Sequence, residues 1–385
     1  LLPHFIAIRN GDDIGVNTVR EGNEHVLGAR FADANFFVRE DVKLKLEEYR
    51  PQLAKLTFHT KLGSMLDKSE RMLKLAVELT DLLHIKDATF NQQLARSVYL
   101  AKADLATQMV TEMTSLQGII GGEYALRSGE LKDVATAISE QYQTVPQSKV
   151  GFILALTDRL DSLVGFFAAG FAPTGAKDPF GLRRAALGVV QPLIEHDLDF
   201  DLAEAVKRSA KTQPIEVKEE VQKQILEFIT GRLKVVLNDM GFKYDVIDAV
   251  LAAQSNNPAG TVRAVKQLQA WVAREDWSSI LDGFARCVRI TRDQKTKFEV
   301  SEKQLVEEAE KGLYAAVQSL PAAVEGDVDS CLSNVATLIP SITVFFEKIL
   351  VMAEDQAVKE NRLGLLQKIA SLTNGVADLS KLEGF

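Results

Sequence analysis

Arginines are the side chains of this 385-residue sequence best placed to do chemistry. Arg286, Arg289 and Arg292 recur every three residues, Lys295 extends the series, and Arg263 and Lys266 stand shortly before it. Steps of three drift around a helix but stay on one broad face. A guanidinium can pair with phosphate in two-pronged fashion and can stack on an unpaired base. The row is therefore either a solvated face or a surface that tracks a nucleic-acid backbone and releases counterions at each contact. Trp271 and Trp277 nearby either stack on bases or pack between helices. Arg183 and Arg184 form a second basic group in KDPFGLRRAALGVV, where Asp178 suits an N-cap and Pro179 a first helical turn. Cations there oppose the helix dipole and need a partner, either a structural carboxylate or an RNA phosphate. Arg362 is a third candidate, two turns behind the acidic turn Glu354–Asp355, with Asp355 as N-cap.

Other chemistries find little support. No GxxxxGK[ST] phosphate loop occurs, and no GxGxxG follows a strand. No GxSxG elbow, CxxC pair or HExxH is present. Cys287 and Cys331 are far apart, which supports neither a disulfide framework nor a thiolate metal site and fits a reducing cytosol. His25 and Arg30 are within the repertoire of ligand contacts, but solvated positions suit them as well. His59 reads as a solvated or capping residue. The net charge of −8 argues against generic polyanion binding, so nucleic-acid contact has to come from local basic patches.

The elements that must position these residues are mostly helices. A length of 385 residues suits two or three domains, and 46% hydrophobic with 25% charged residues is ordinary for a soluble globular protein. No apolar run is expected to reach bilayer-crossing length, and no signal peptide is expected in this sequence. The sequence starts without Met inside LLPHFIAIRN, which reads as a strand over residues 1–8, so the chain is expected to be a fragment. From 51 to about 170 it is nearly all helical: Leu62, Met65, Leu66, Met72 and Leu75 recur near the helical period, and Asp87 suits an N-cap. Gly118, Gly121 and Gly122 are expected to break or loosen the next segment. Phe36 and Phe37 read as packing residues. Amphipathic helices fill 190–260, and one helix is expected from Ile280 to Lys297. Phe345, Ile349 and Met352 should share a face of a helix opened by Pro340.

Part of this order resembles metal-dependent phosphohydrolases of the HD type, whose His and Asp ligands converge on a hydrolytic ion. Aligned to that pattern, DKSERMLKLA puts Lys68 where the first His belongs, and VYLAKADL gives Ala103–Asp104 for the His-Asp pair. Asp158 would be the last ligand. Two carboxylates without an imidazole make a poor site, so Asp104 and Asp158 are expected to be vestigial and no metal is expected. A second resemblance is broader. EGNEHVLGARFADANFF, KADLATQMVTEMTSLQG, DPFGLRRAALGV, YDVIDAVLA and FFEKILVMAEDQAVKENRLGLL together, in this order, resemble the C-terminal part of the bacterial glycyl-tRNA synthetase beta subunit. It implies a mainly α fold. The end of a mixed α/β domain would occupy 1–50, a degenerate HD-like helical domain 51–200, a helical linker 201–280 and a DALR-like anticodon-binding helical bundle 281–385. It also implies tRNA binding, for which the residues read above, Arg183, Arg184, Arg286, Arg289, Arg292, Lys295 and Arg362, are the candidates, with no catalytic residue expected on this chain. No synthetase catalytic signature of either class is visible. Glycyl-adenylate formation, with its ATP and Mg, would belong to an alpha subunit, in a cytoplasmic α2β2 tetramer acting on tRNA(Gly). The alternative is an HD-type phosphohydrolase with a helical regulatory tail.

Overall fold

The computed structural model describes residues 4–385. It is mainly helical, with one two-stranded hairpin, and it divides into two compact units. Residues 1–172 and 208–217 make the first; 173–207 and 218–385 make the second.

The first unit contains α1 (Val16–Asp41), α2 (Leu46–Tyr49), α3 (Met65–Leu82), α4 (Ala88–Leu100), α5 (Gln108–Glu112), α6 (Ile119–Arg127), α7 (Lys132–Glu140) and α8 (Lys149–Ala168). Strands β1 (Thr57–His59) and β2 (Gly63–Ser64) pair antiparallel just before α3. α3 starts where it does because Ser64 and Asp67 form a capping box, each bonding the other's backbone N–H. Asp87 caps α4 by accepting from Thr89 and Phe90 N–H, as its position in the sequence implies. α8 is apolar almost all round and is correspondingly buried, with α3, α4 and α7 packed around it. A second apolar cluster joins Leu46, Tyr49, Leu100, Tyr124 and Ile138, with Phe37 and Val38 of α1 against it.

Several expectations change here. Residues 4–10 form no strand; a lone apolar run without a partner ladder does not make a sheet. Residues 1–3 of that expected strand lie outside the described residues. Phe37 packs, but Phe36 is exposed. Gly121 and Gly122 do not break a helix. They sit inside α6, where a Cβ on Gly121 would come within 2.9 Å of an Asp104 carboxylate oxygen. Glycine there permits the close approach.

The second unit contains α9 (Leu182–Glu195), α11 (Glu219–Asp239), α12 (Tyr244–Leu251), α13 (Pro258–Val272), α14 (Trp277–Thr291), α15 (Glu308–Gln318), α16 (Val328–Lys348) and α17 (Gln356–Ala370). The unit division falls within α10 (Leu202–Thr212). Within the segment 201–280, α12 packs with both α11 and α13, and α13 packs on α16. α14 lies against both α16 and α17, and α15 against α16.

α14 ends at Thr291, short of Lys297. α16 begins at Val328, so Pro340 lies inside it rather than opening it. It stops at Lys348, which leaves Ile349 as a buried cap residue and Met352 outside any helix and 44% exposed. α16 is, contrary to expectation, long and apolar enough to cross a membrane. Its apolar residues Leu332, Val335, Leu338, Ile342 and Phe345 are instead buried within this unit. Asp355 caps α17 by accepting from Ala357 and Val358 N–H, as expected.

Candidate nucleic-acid interface

α14 presents two chemically different faces because its apolar residues recur at three and four. Ile280, Leu281, Phe284 and Cys287 turn into the core, while Arg286 and Arg289 are exposed. The guanidinium of Arg286 lies 4.3 Å from the centre of the Phe346 ring on α16, and that of Arg289 lies 5.5 Å from the Phe385 ring. Both are set over aromatic faces, which fixes a planar cation without neutralising it. Arg292 is the exposed C-cap of α14, and its nearest carboxylate is the exposed Asp293. Lys295 does not continue the helical row; it is exposed in the loop that follows. That loop is held by α17, because the Gln367 side chain accepts from Phe298 N–H at 2.9 Å and donates to the Thr296 carbonyl at 2.9 Å. Gly364 makes the approach possible, since a Cβ there would meet the Phe298 carbonyl oxygen at 2.9 Å.

Other candidates are already engaged inside the protein. The Arg362 side chain is 11% exposed; its Nε donates to Glu310, whose side chain is 1% exposed, and its Nη1 donates to the Leu350 carbonyl. It is a structural clamp between α15, α17 and the turn between α16 and α17, and it leaves the candidate surface. Arg263 pairs with Asp197 and Asp199. Trp271 is buried, donates its indole N–H to Asp329 and carries the Arg274 guanidinium over its ring; Trp277 is buried too. Both tryptophans take the packing role. Cys287 and Cys331 are buried, and burial pushes their thiols up to about 12 and about 11, which makes them poor nucleophiles.

At the other basic group α9 starts at Leu182, with Gly181 at the cap. Pro179 is therefore outside the helix. Asp178 still serves the helix start, because its carboxylate accepts from Leu182 N–H at 2.8 Å and Arg183 N–H at 2.9 Å. Arg183 is partly buried and donates to the Gly175 carbonyl, so its partner is internal. Arg184 is exposed and makes no ion pair among the described residues.

The positions aligned to a metal centre hold something else. Lys68 on α3 is 2% exposed. Its ammonium lies 2.8 Å from Asp158 Oδ1 and 3.0 Å from Asp161 Oδ2, and it donates to Ser162 Oγ at 2.8 Å. Lys102 holds the other Asp158 oxygen at 2.9 Å and donates to the Tyr142 hydroxyl at 3.0 Å. Arg71 grips Asp161 through Nε at 2.8 Å and Nη2 at 3.2 Å. Burial alone would raise Asp158 and Asp161, but Lys102 and Lys68 hold the first, and Lys68 and Arg71 the second, below the usual carboxylate range. Asp104 makes no ion pair with these ammoniums among the described residues: its Oδ2 accepts from Gly118 N–H at 2.6 Å, and its buried Oδ1 has no hydrogen-bond partner among them. Burial pushes it up to about 6. Among the described residues no cluster of three His, Cys, Asp or Glu is placed to hold a metal. His59 accepts from Lys61 N–H at its Nδ1 and packs by the Phe166 and Phe171 rings. Sequence reasoning missed Arg71, Lys102 and Asp161. The signal was present: Lys68 and Arg71 are one turn apart on one helix, as are Asp158 and Asp161 on another.

The family model for the glycyl-tRNA synthetase beta subunit matches residues 1–252, and that for the DALR anticodon binding domain matches residues 280–379. The chain belongs to the glycyl-tRNA synthetase beta subunit family. The glycine–tRNA ligase beta subunit of Moorella thermoacetica is 38% identical, over 99% of this chain and 57% of that protein. That of Clostridioides difficile is 36% identical over the same shares. Glycine–tRNA ligase, chloroplastic/mitochondrial 2 of Arabidopsis thaliana is 37% identical over 100% of this chain and 37% of its own length. The chain thus spans somewhat more than half of the bacterial beta subunits it matches. Within this family member the first match contains the whole buried ionic network, and the DALR match contains Arg286, Arg289, Arg292 and Lys295.

Proposed function

We propose that this chain is the tRNA-binding part of a glycine–tRNA ligase beta subunit, and that its second unit binds the anticodon arm of tRNA(Gly). The observation that carries the reading is the row Arg286, Arg289, Arg292 and Lys295. It is exposed, it is backed by the packed helices α16 and α17, and it lies inside the DALR match. Exposed cations set on a rigid scaffold suit phosphate contact, and a guanidinium on an aromatic ring keeps its charge for a ligand. Arg184 supplies a further exposed cation at the start of α9, beside the internally bonded Arg183.

In this reading the chain carries no catalytic residue. Glycyl-adenylate formation, with its ATP and Mg, falls to an alpha subunit in a cytoplasmic α2β2 tetramer. The rival, a metal-dependent phosphohydrolase of the HD type, is disfavoured by Lys68 and Lys102: their ammonium groups take the Asp158 oxygens that a metal would need. Aminoacylation by full-length beta subunit with alpha subunit, scored against each alone, tests the function. Glycylation by alpha alone at the rate of the pair would overturn it. Elemental analysis of protein purified without chelator separates the rival; one metal per chain, lost in Asp158→Ala, would favour the hydrolase.

A further inference from the structure

We propose that the pocket next to Arg289, edged by Asp378 and Phe385, takes one unpaired nucleobase that carries an exocyclic amino group. This rests on the anticodon-arm reading above and names the site within that surface where a base, rather than a phosphate, is bound. The pocket has a volume of about 390 Å³ and a floor of small and apolar side chains, among them Ala252, Phe284, Val288 and Ala377. That is near the lower end of the roughly 300–1,000 Å³ of small-ligand sites, and the alanines leave room for a flat ring.

Phe385 is half-buried and lines the pocket, and the Arg289 guanidinium beside it combines a stacking plane with a positive charge. The segment is fixed in place. Asp378 N–H donates to the Ala249 carbonyl at 2.8 Å, Glu383 N–H donates to Asp245 at 3.1 Å, and Tyr244 donates its hydroxyl to Glu383. A platform tied down in advance loses little entropy when a base stacks on it.

Asp378 decides the edge chemistry. Its Oδ1 accepts from Ser380 N–H at 3.1 Å and Ser380 Oγ at 2.6 Å, which orients the carboxylate and leaves Oδ2 as an acceptor. An ionised carboxylate can only accept, so it favours a base with an amino group and disfavours uracil, which presents a carbonyl oxygen there.

The test uses the full chain and a synthetic anticodon stem-loop of tRNA(Gly), with each loop base replaced in turn by an abasic site. One position is expected to cost wild type about tenfold in affinity, in line with the loss of one stacked base. The same abasic change should cost Phe385→Ala nothing, Phe385→Trp should restore the penalty, and Asp378→Asn should relax the preference against uracil at that position alone. The dependence of affinity on salt should be the same in all three variants. If every abasic site costs Phe385→Ala as much as wild type, while Arg289→Ala and Arg292→Ala still weaken binding, the pocket is wrong and the anticodon-arm reading stands. If the wild-type chain does not prefer this stem-loop to one of unrelated sequence, both fall.

Discussion

Both units gather several cations on helices, yet they treat them in opposite ways. In the first unit Lys68, Arg71 and Lys102 are almost wholly buried and each is matched to Asp158 or Asp161. In the second, Arg286, Arg289 and Arg292 are exposed and their closest carboxylates are at 3.9 Å or beyond where one is near at all. A buried charge costs several kcal/mol of desolvation and is kept only with a hydrogen-bonded counter-charge, so the first set is committed to holding its helices together. An exposed charge is hydrated, contributes little to stability, and stays available to an outside anion. Arg362 shows that residue type alone does not sort them. It belongs to the second unit but behaves like the first set, because Glu310 is buried beside it.

That contrast can be broken most sharply at Asp161. Asp161→Ala would leave Arg71 buried without its carboxylate and Lys68 with Asp158 alone, and a loss of about 3–5 kcal/mol is expected. Hydrogen exchange of α3 and α8 amides reads it locally; a loss below about 1 kcal/mol would mean that the network is not holding those helices. Arg362→Ala should cost about 3 kcal/mol, because it leaves Glu310 buried without its counter-charge, bonded only to the Val306 and Glu307 N–H groups. Any drop in RNA affinity should follow the loss of folded protein, and an affinity loss in a fully folded variant would return Arg362 to the binding surface.

Asp104 sharpens the comparison through pH. Its folded pKa of about 6 lies above the roughly 3.9 of an unfolded chain. The folded state therefore keeps a proton that the unfolded chain releases, and this contribution to stability, full below about pH 4, is lost as pH rises to about 6. Asp158 and Asp161 are depressed, so theirs is present above about pH 4 and lost as pH falls through the folded values. Asp104→Asn should flatten the decline between pH 4 and 6, worth about 2–3 kcal/mol; an unchanged profile in denaturant titrations would place the titration elsewhere. The smallest effects belong to the exposed row. Arg289→Ala or Arg292→Ala should leave stability within about 0.5 kcal/mol. Each should lower the slope of log affinity against log salt by about 0.7–0.9, as expected for one phosphate contact. Wild-type slopes in both variants would leave the row as a solvated face.

The mainly helical fold was legible in the sequence because apolar spacing and caps act locally. Asp87 and Asp355 cap the helices their positions imply, and the face of α14 follows from Ile280, Phe284 and Cys287 at steps of four and three. The exposed arginines of that helix were legible for the same reason. It ends at Thr291, and Lys295 lies in a loop seated by residues far away in sequence: the Gln367 side chain bonds it to α17, and Gly364, with no side chain, lets it come close. The residues 4–10 show the converse: a strand-like run is no strand without a partner. Lys68 was legible as a residue that spoils a metal site, but not as one that replaces the metal with its own ammonium. That required α8 to bring Asp158 and Asp161 to it across 90 or more positions of chain. Whether a given arginine is a clamp or a contact was likewise left to the tertiary structure, because burial and the nearest carboxylate are properties of the packed helices and not of the residue or its spacing.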